Sequence, residues 1–240
     1  MVRTQVLNFE CWTEYWILNT SVLIVGFGGE KLRLHKNFSL AAIVLAGGKS
    51  SRMRQDKALI PVQGKALLQR VCEVALQCTT PVYVVSPRIE QYRAVVPDAC
   101  QWIQEQVNPE ETTPHGPLIG FAQALEQIQT DWVLLLACDL PLLQVEILQT
   151  WIQQLAEVDD AELVALLPRS KQGWEPLCGF YHRRCLSSLI RAIEQGERSF
   201  QGWLANLPVQ ELVVSDRQIL FNCNTPNDLE MLLSADPTIS

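Results

Sequence analysis

The periodicity of apolar positions changes along the chain in a regular order. Residues 41–46 form an unbroken apolar run of strand length that stops at Gly47 and Gly48. Such a run predicts a strand buried on both faces of a parallel sheet. Gly64 marks a turn, and over 65–78 the apolar residues Leu67, Leu68, Val71, Cys72, Ala75 and Leu76 follow helical spacing. Residues 82–85 read as the next buried strand, so the stretch is a βαβ unit with an expected right-handed crossover. A short helix is expected at 91–95, a strand at 101–107 and a polar loop at 108–115. Pro117 suits a first helical turn, and the helix continues over 121–128. The most hydrophobic run, 132–137, predicts a central strand that ends at Cys138-Asp139-Leu140-Pro141. An amphipathic helix at 142–158 and a strand at 163–167 complete this alternation.

The remainder reads differently. A polar loop is expected at 170–174, a strand at 175–181, helices at 183–195 and 199–206, and short strands at 209–214 and 219–223. Thr225 is a good cap for a last helix, with Pro226 at its first position and Asp228 at its third. The whole pattern predicts an α/β fold, a single doubly wound, mainly parallel sheet with helices on both faces. Residues 39–240 are expected to form one domain, and 1–38 an N-terminal extension, disordered or an overextended translation start. Within that extension, residues 12–27 are apolar but interrupted by Glu14 and Asn19, too short a stretch to span a bilayer, and no cleavage site of a signal peptide follows. Gly26 and Gly28 open a dinucleotide-binding pattern, but Lys31 occupies its third glycine position.

Charge sharpens one stretch of this plan. The chain carries a formal charge of −7 and a pI near 5.0, which argues against a general nucleic-acid binder. Against that background Lys49, Arg52, Arg54 and Lys57 crowd four cations into nine residues just after Gly47-Gly48. Backbone amides of a glycine turn with clustered cations make a cradle for polyphosphate; the alternative is a solvated basic face. The eight cysteines include no CxxC pair and mostly sit in apolar runs, as small buried hydrophobes of a reducing cytoplasm do. Neither they nor the three histidines show metal-ligand spacing.

In an open parallel sheet, ligands bind beyond the carboxyl ends of the strands. Gly47-Gly48, Ser86 and Asp139 share that edge. A carboxylate ending a fully apolar strand suits Mg²⁺ bound together with substrate phosphates; the alternative is an N-cap for the helix after Pro141. Arg52 and Lys57 suit phosphate, or one of them pairs with Asp56 or faces solvent. Asn222 and Asn224, at the end of a late strand, reach a second substrate or only stabilise a turn. No Ser-His-Asp order, thiol–base pair or Walker A ending is visible. The residues thus point to a Mg²⁺-dependent enzyme acting on a nucleoside triphosphate, with base and acceptor left open.

The stretch 45–59, LAGGKSSRMRQDKAL, resembles the signature of the molybdenum cofactor guanylyltransferases. Matches follow in order at 115–120 (HGPLIG), 138–142 (CDLPL), 175–181 (EPLCGFY) and 221–229 (FNCNTPNDL). The resemblance covers about 40–235 and implies a nucleotide-diphospho-sugar transferase-like fold. It also implies transfer of GMP from Mg-GTP to the terminal phosphate of molybdopterin, with release of pyrophosphate. The implied partners are GTP, molybdopterin and molybdoenzyme maturation proteins, with no nucleic acid and no membrane. The catalytic set carried over is Asp139, Lys57 and Arg52, with Asp139 as metal ligand. The binding set is Leu45, Ala46, Gly47, Gly48, Lys57, Ser86, Glu105, Gly116, Asp139, Asn222 and Asn224. Residues 39–168 would form the GTP and metal half, and 169–240, including 176–181, the pterin half. Arg54 replaces the usual glycine of the motif, Ser86 stands for a usual Asn, and Glu105 for a usual Asp. The rival functions are a cytidylyltransferase of the same pterin, a sugar-phosphate nucleotidyltransferase, and a non-catalytic carrier or adaptor.

Overall fold

The computed structural model describes residues 38–47, 55–106, 116–159 and 161–234. Most of the expected 1–38 extension lies outside them, as do Gly48, Lys49, Arg52, Arg54 and the stretch 108–115 expected to be a loop. The central sheet contains β1 (Leu40–Leu45), β4 (Val82–Ser86), β5 (Gln101–Gln104), β6 (Trp132–Ala137), β7 (Ala165–Leu167), β10 (Cys178–His182) and β11 (Val209–Glu211). Small hairpins pair β2 (Pro61–Val62) with β3 (Lys65–Ala66) and β8 (Arg169–Ser170) with β9 (Gly173–Trp174). The helices are α1 (Leu67–Cys78), α2 (Ile89–Tyr92), α3 (Pro117–Gln127), α4 (Val145–Ala156), α5 (Leu186–Glu194), α6 (Phe200–Leu204) and α7 (Pro226–Ser234).

The strand order is β11-β7-β10-β6-β1-β4-β5, which puts β6 at the centre as its hydrophobicity predicts. β1 pairs in parallel with β4 and β6, β4 with β5, and β7 with β11; β10 alone runs antiparallel, between β6 and β7. Strand alternation divides each central run between two cores. Ala42, Val44, Leu134 and Leu136 face the layer of α1 and α4, whereas Ala41, Ile43, Val133 and Leu135 face α3, α5 and α6. All eight are fully buried, and each larger aliphatic among them is worth roughly 1.5–3 kcal/mol relative to exposure. β10 can lie against β7 because Gly179 has no side chain: a Cβ there would meet Leu167 Cδ2 at 2.7 Å and Leu166 O at 2.9 Å.

Four aromatic rings, Phe121, Tyr181, Phe200 and Trp203, fill the second core with centroids 4.9–6.3 Å apart. Buried Tyr181 needs a partner for its hydroxyl, and it donates to Pro176 O at 2.8 Å. That bond ties the turn before β10 to the core.

Several element boundaries differ from the expected ones. Residues 65 and 66 belong to a hairpin rather than to α1, and 170–174 is the β8–β9 hairpin rather than an open loop. The expected strand at 219–223 is a 3₁₀ turn, Arg217–Leu220, followed by an extended connection. Asp216 Oδ1 accepts from Gln218 N at 2.9 Å, and this local side-chain bond prevails over the β propensity of the apolar residues. The expected strand at 175–181 begins only at Cys178, after a turn. The described cysteines are free, and each is buried or half-buried.

Candidate active site

The carboxyl edge of the sheet is assembled from segments far apart in the chain. Beyond β1, Ala46 N donates to Val85 O at 2.9 Å, and Leu45 O accepts from Cys138 N at 3.2 Å. The backbone of 45–47 therefore lies between the ends of β4 and β6. Gly47 has φ +154°, and a Cβ on it would stand 2.6 Å from Pro87 Cδ, so both conformation and space require glycine.

A 3₁₀ turn at Lys57–Leu59 brings Lys57 to Asp139. Lys57 Nζ lies 3.3 Å from Asp139 Oδ2 and also donates to Asn224 Oδ1. The other Asp139 oxygen, Oδ1, is buried with no hydrogen-bond partner among the described residues. The main chain of Asp139 anchors the third segment, because its carbonyl accepts from Cys223 N at 3.0 Å. The cap of α7 then holds Asn224 in place: Asp228 Oδ2 accepts from Asn224 N (2.8 Å) and Thr225 N (2.7 Å), and Thr225 Oγ1 accepts from Asp228 N (3.2 Å). This is the capping box expected from Thr225 and Asp228, and here it also positions a site residue.

This geometry overturns one sequence alternative and answers a second for Lys57 alone, since Arg52 lies outside the described residues. Asp139 is not an N-cap, since α4 begins at Val145 with Gln144 before it and no side-chain cap bond. Lys57 pairs with Asp139, while Asp56 pairs with Arg88. The other expected residues are dispersed. Asn222 turns its amide onto Leu220 O at 3.1 Å, and no strand ends beside it. Ser86 is fully buried, with Oγ accepting from Arg88 N at 3.0 Å. Glu105 follows β5 and lies against Gly120 of α3, where a Cβ would stand 3.2 Å from Glu105 Cδ. Gly116 precedes α3, opposite Arg198 O. Burial, reinforced by the Asp139 and Asp56 carboxylates, pushes the Cys138 thiol up to about 12, so it stays protonated.

A divalent ion fits Asp139: a buried carboxylate oxygen with no donor among the described residues has the chemistry of a hard ligand. Among the described residues no group of three or more His, Cys, Asp or Glu could hold a metal. A single protein carboxylate is the donor set expected when substrate phosphates complete the coordination of Mg²⁺. A groove of about 690 Å³ opens among residues that flank the site residues in the chain, although Lys57, Asp139 and Asn224 do not line it. Pro141 and Leu142 from the loop after Asp139, Phe221, Met231 and Leu232 give it apolar walls, and Arg70 and Arg217 add cations. Sequence reading missed this groove because its walls come from both halves of the chain.

The MobA-like NTP transferase domain matches residues 42–210. The chain belongs to this family. A probable molybdenum cofactor guanylyltransferase of Trichormus variabilis is 56% identical over 81% of this chain and 90% of its own length. The fold is shared with molybdopterin-guanine dinucleotide biosynthesis protein A of Archaeoglobus fulgidus, at 24% identity and a TM-score of 0.64, over 81% of this chain and 97% of that one. A Mycobacterium tuberculosis protein solved as a complex with manganese aligns with a TM-score of 0.60 and 18% identity, over 82% and 99%. The nucleotidyltransferase class and the doubly wound fold expected from sequence thus hold. No described helix is long and apolar enough to cross a membrane.

Proposed function

We propose that the chain transfers GMP from Mg-GTP to the terminal phosphate of molybdopterin in the cytoplasm, giving the guanine dinucleotide form of the molybdenum cofactor and pyrophosphate. The observation that carries this reading is the orphaned oxygen of Asp139 beside Lys57 and Asn224, in a chain 56% identical to a probable molybdenum cofactor guanylyltransferase. Asp139 would hold Mg²⁺, which when bound would offset triphosphate charge and the charge that develops on the leaving group. Lys57 presents a point charge to a phosphate oxygen, and Leu45, Ala46 and Gly47 offer backbone to the nucleotide. Arg52 and Gly48 lie outside the described residues, and their assignment to the same phosphate site rests on the motif they share with the family. Glu105 and Gly116 are assigned to the side of the base, Ser86 acts only from beneath it by holding the backbone of Arg88, and Asn222 and Asn224 are assigned to the acceptor side.

The acceptor occupies the neighbouring groove, where the apolar walls suit a pterin ring and Arg70 and Arg217 suit its phosphate. An oxygen of the acceptor phosphate forms a bond to the α-phosphorus as the bond from that phosphorus to the bridging oxygen breaks. The electron pair leaves with pyrophosphate. The attacking oxygen is already anionic, so the step needs no general base, and positioning and charge suffice. The dinucleotide product would pass to molybdoenzyme maturation proteins.

The test is pyrophosphate release with GTP, CTP, ATP and UTP, each with and without molybdopterin. Turnover with GTP that depends on molybdopterin and Mg²⁺ is expected. Turnover with CTP instead would make the chain a cytidylyltransferase, and none with any nucleotide would leave a carrier.

A further inference from the structure

The residue before Lys57 is engaged on both of its carboxylate oxygens. Asp56 Oδ1 accepts from Ala58 N at 3.1 Å and caps the 3₁₀ turn that carries Lys57. Asp56 Oδ2 accepts from Tyr92 OH at 2.6 Å and lies 3.1 Å from Arg88 Nη2. Arg88 Nη2 also donates to Tyr92 OH at 3.0 Å, and Arg88 N donates to Ser86 Oγ at 3.0 Å, which secures the turn leaving β4. Tyr92 is fully buried. Burial first, and then the Asp56 carboxylate, hold its phenol well above the usual range, so it remains a donor.

We propose that Asp56, Arg88 and Tyr92 form a positioning clamp that directs Lys57 toward Asp139 and the triphosphate. A carboxylate one residue from an ammonium competes for it unless its own oxygens are engaged. Here Arg88 and Tyr92 engage them, and the same bonds fasten the turn of Lys57 to the end of β4. Ser86 contributes indirectly, by orienting the backbone of Arg88. The inference rests on the reading of Lys57 as a phosphate-holding residue.

The test is a double-mutant cycle in Mg-GTP affinity, measured by calorimetry, with Tyr92→Phe and Arg88→Met each made on the parent and on Lys57→Met. Tyr92→Phe removes only a hydroxyl, so the core is retained. On the parent, either change is expected to weaken Mg-GTP binding about fivefold, and on Lys57→Met less than about twofold, because coupled residues are not additive. Arg88→Lys, which keeps a cation beside Asp56, is expected to recover most of the affinity lost in Arg88→Met. Equal weakening on both backgrounds would overturn the clamp, as would unchanged affinity with only a lower melting temperature. If Lys57→Met binds Mg-GTP as tightly as the parent, the phosphate role of Lys57 fails, and the clamp with it.

Discussion

Asp56 and Asp139 stand on either side of Lys57 with nearly equal side-chain exposure, 14% and 16%, yet the fold treats them in opposite ways. Asp56 receives an amide, a phenol and a guanidinium. Asp139 receives Lys57 on one oxygen and, among the described residues, no donor on the other. A buried acceptor left without a donor costs roughly 1–3 kcal/mol. The difference teaches that burial alone does not mark a functional carboxylate; what marks it is a buried oxygen that the protein itself leaves unsatisfied.

The comparison breaks most decisively at Asp139. Asp139→Ala is expected to lower turnover by at least about 10³-fold, some 4 kcal/mol of transition-state stabilisation. Its stability should stay within about 1 kcal/mol of the parent, since an unsatisfied group is being removed. Pyrophosphate release and urea unfolding on the same preparation check both halves, and a large loss of stability would erase the contrast with Asp56.

Asp56→Ala should lower stability as well as disturb Lys57. It removes a cap and leaves the proton of the buried Tyr92 hydroxyl without its acceptor, so a stability loss of about 2–3 kcal/mol is expected. Urea unfolding measures it, and a loss below about 0.5 kcal/mol would mean that Asp56 is no more structural than Asp139.

The smallest effect concerns the support of Asn224. Thr225→Ala should cost about 1 kcal/mol as a lost cap, read by the shift in denaturant midpoint. Amide donation from Asn224, foremost, and then the Thr225 hydroxyl and amide hold the Asp228 carboxyl below its usual range. A depressed folded-state pKa stabilises above the unfolded value, and that contribution is lost as pH falls through the folded one. Stability of the parent should therefore decline on acidification below about pH 4, and Asp228→Asn should decline less steeply over the same interval.

Much of the scaffold is legible in local pattern. The runs at 41–46 and 132–137 are long enough and apolar enough to have one physical solution, a strand buried on both faces, and they are β1 and β6. Thr225-Pro226-Asn227-Asp228 likewise announces the start of α7 through its own short-range bonds. Short segments fared worse. Residues 219–223 look like a strand, but the cap at Asp216 turns the chain there. The hairpin at 169–174 has only two residues in each strand, too few to show a period.

By itself, then, the sequence determined the alternating layers, the central place of β6, the glycine turn at the sheet edge and Asp139 as the carboxylate to watch. The tertiary structure decided which partners these residues meet. Lys57 reaches Asp139 across 82 positions and Asn224 across 167, while Asp56 meets Tyr92 across 36. Periodicity carries information over a turn of helix or a pair of strands, whereas such contacts depend on how whole layers pack. Only packing separates the satisfied carboxylate from the unsatisfied one.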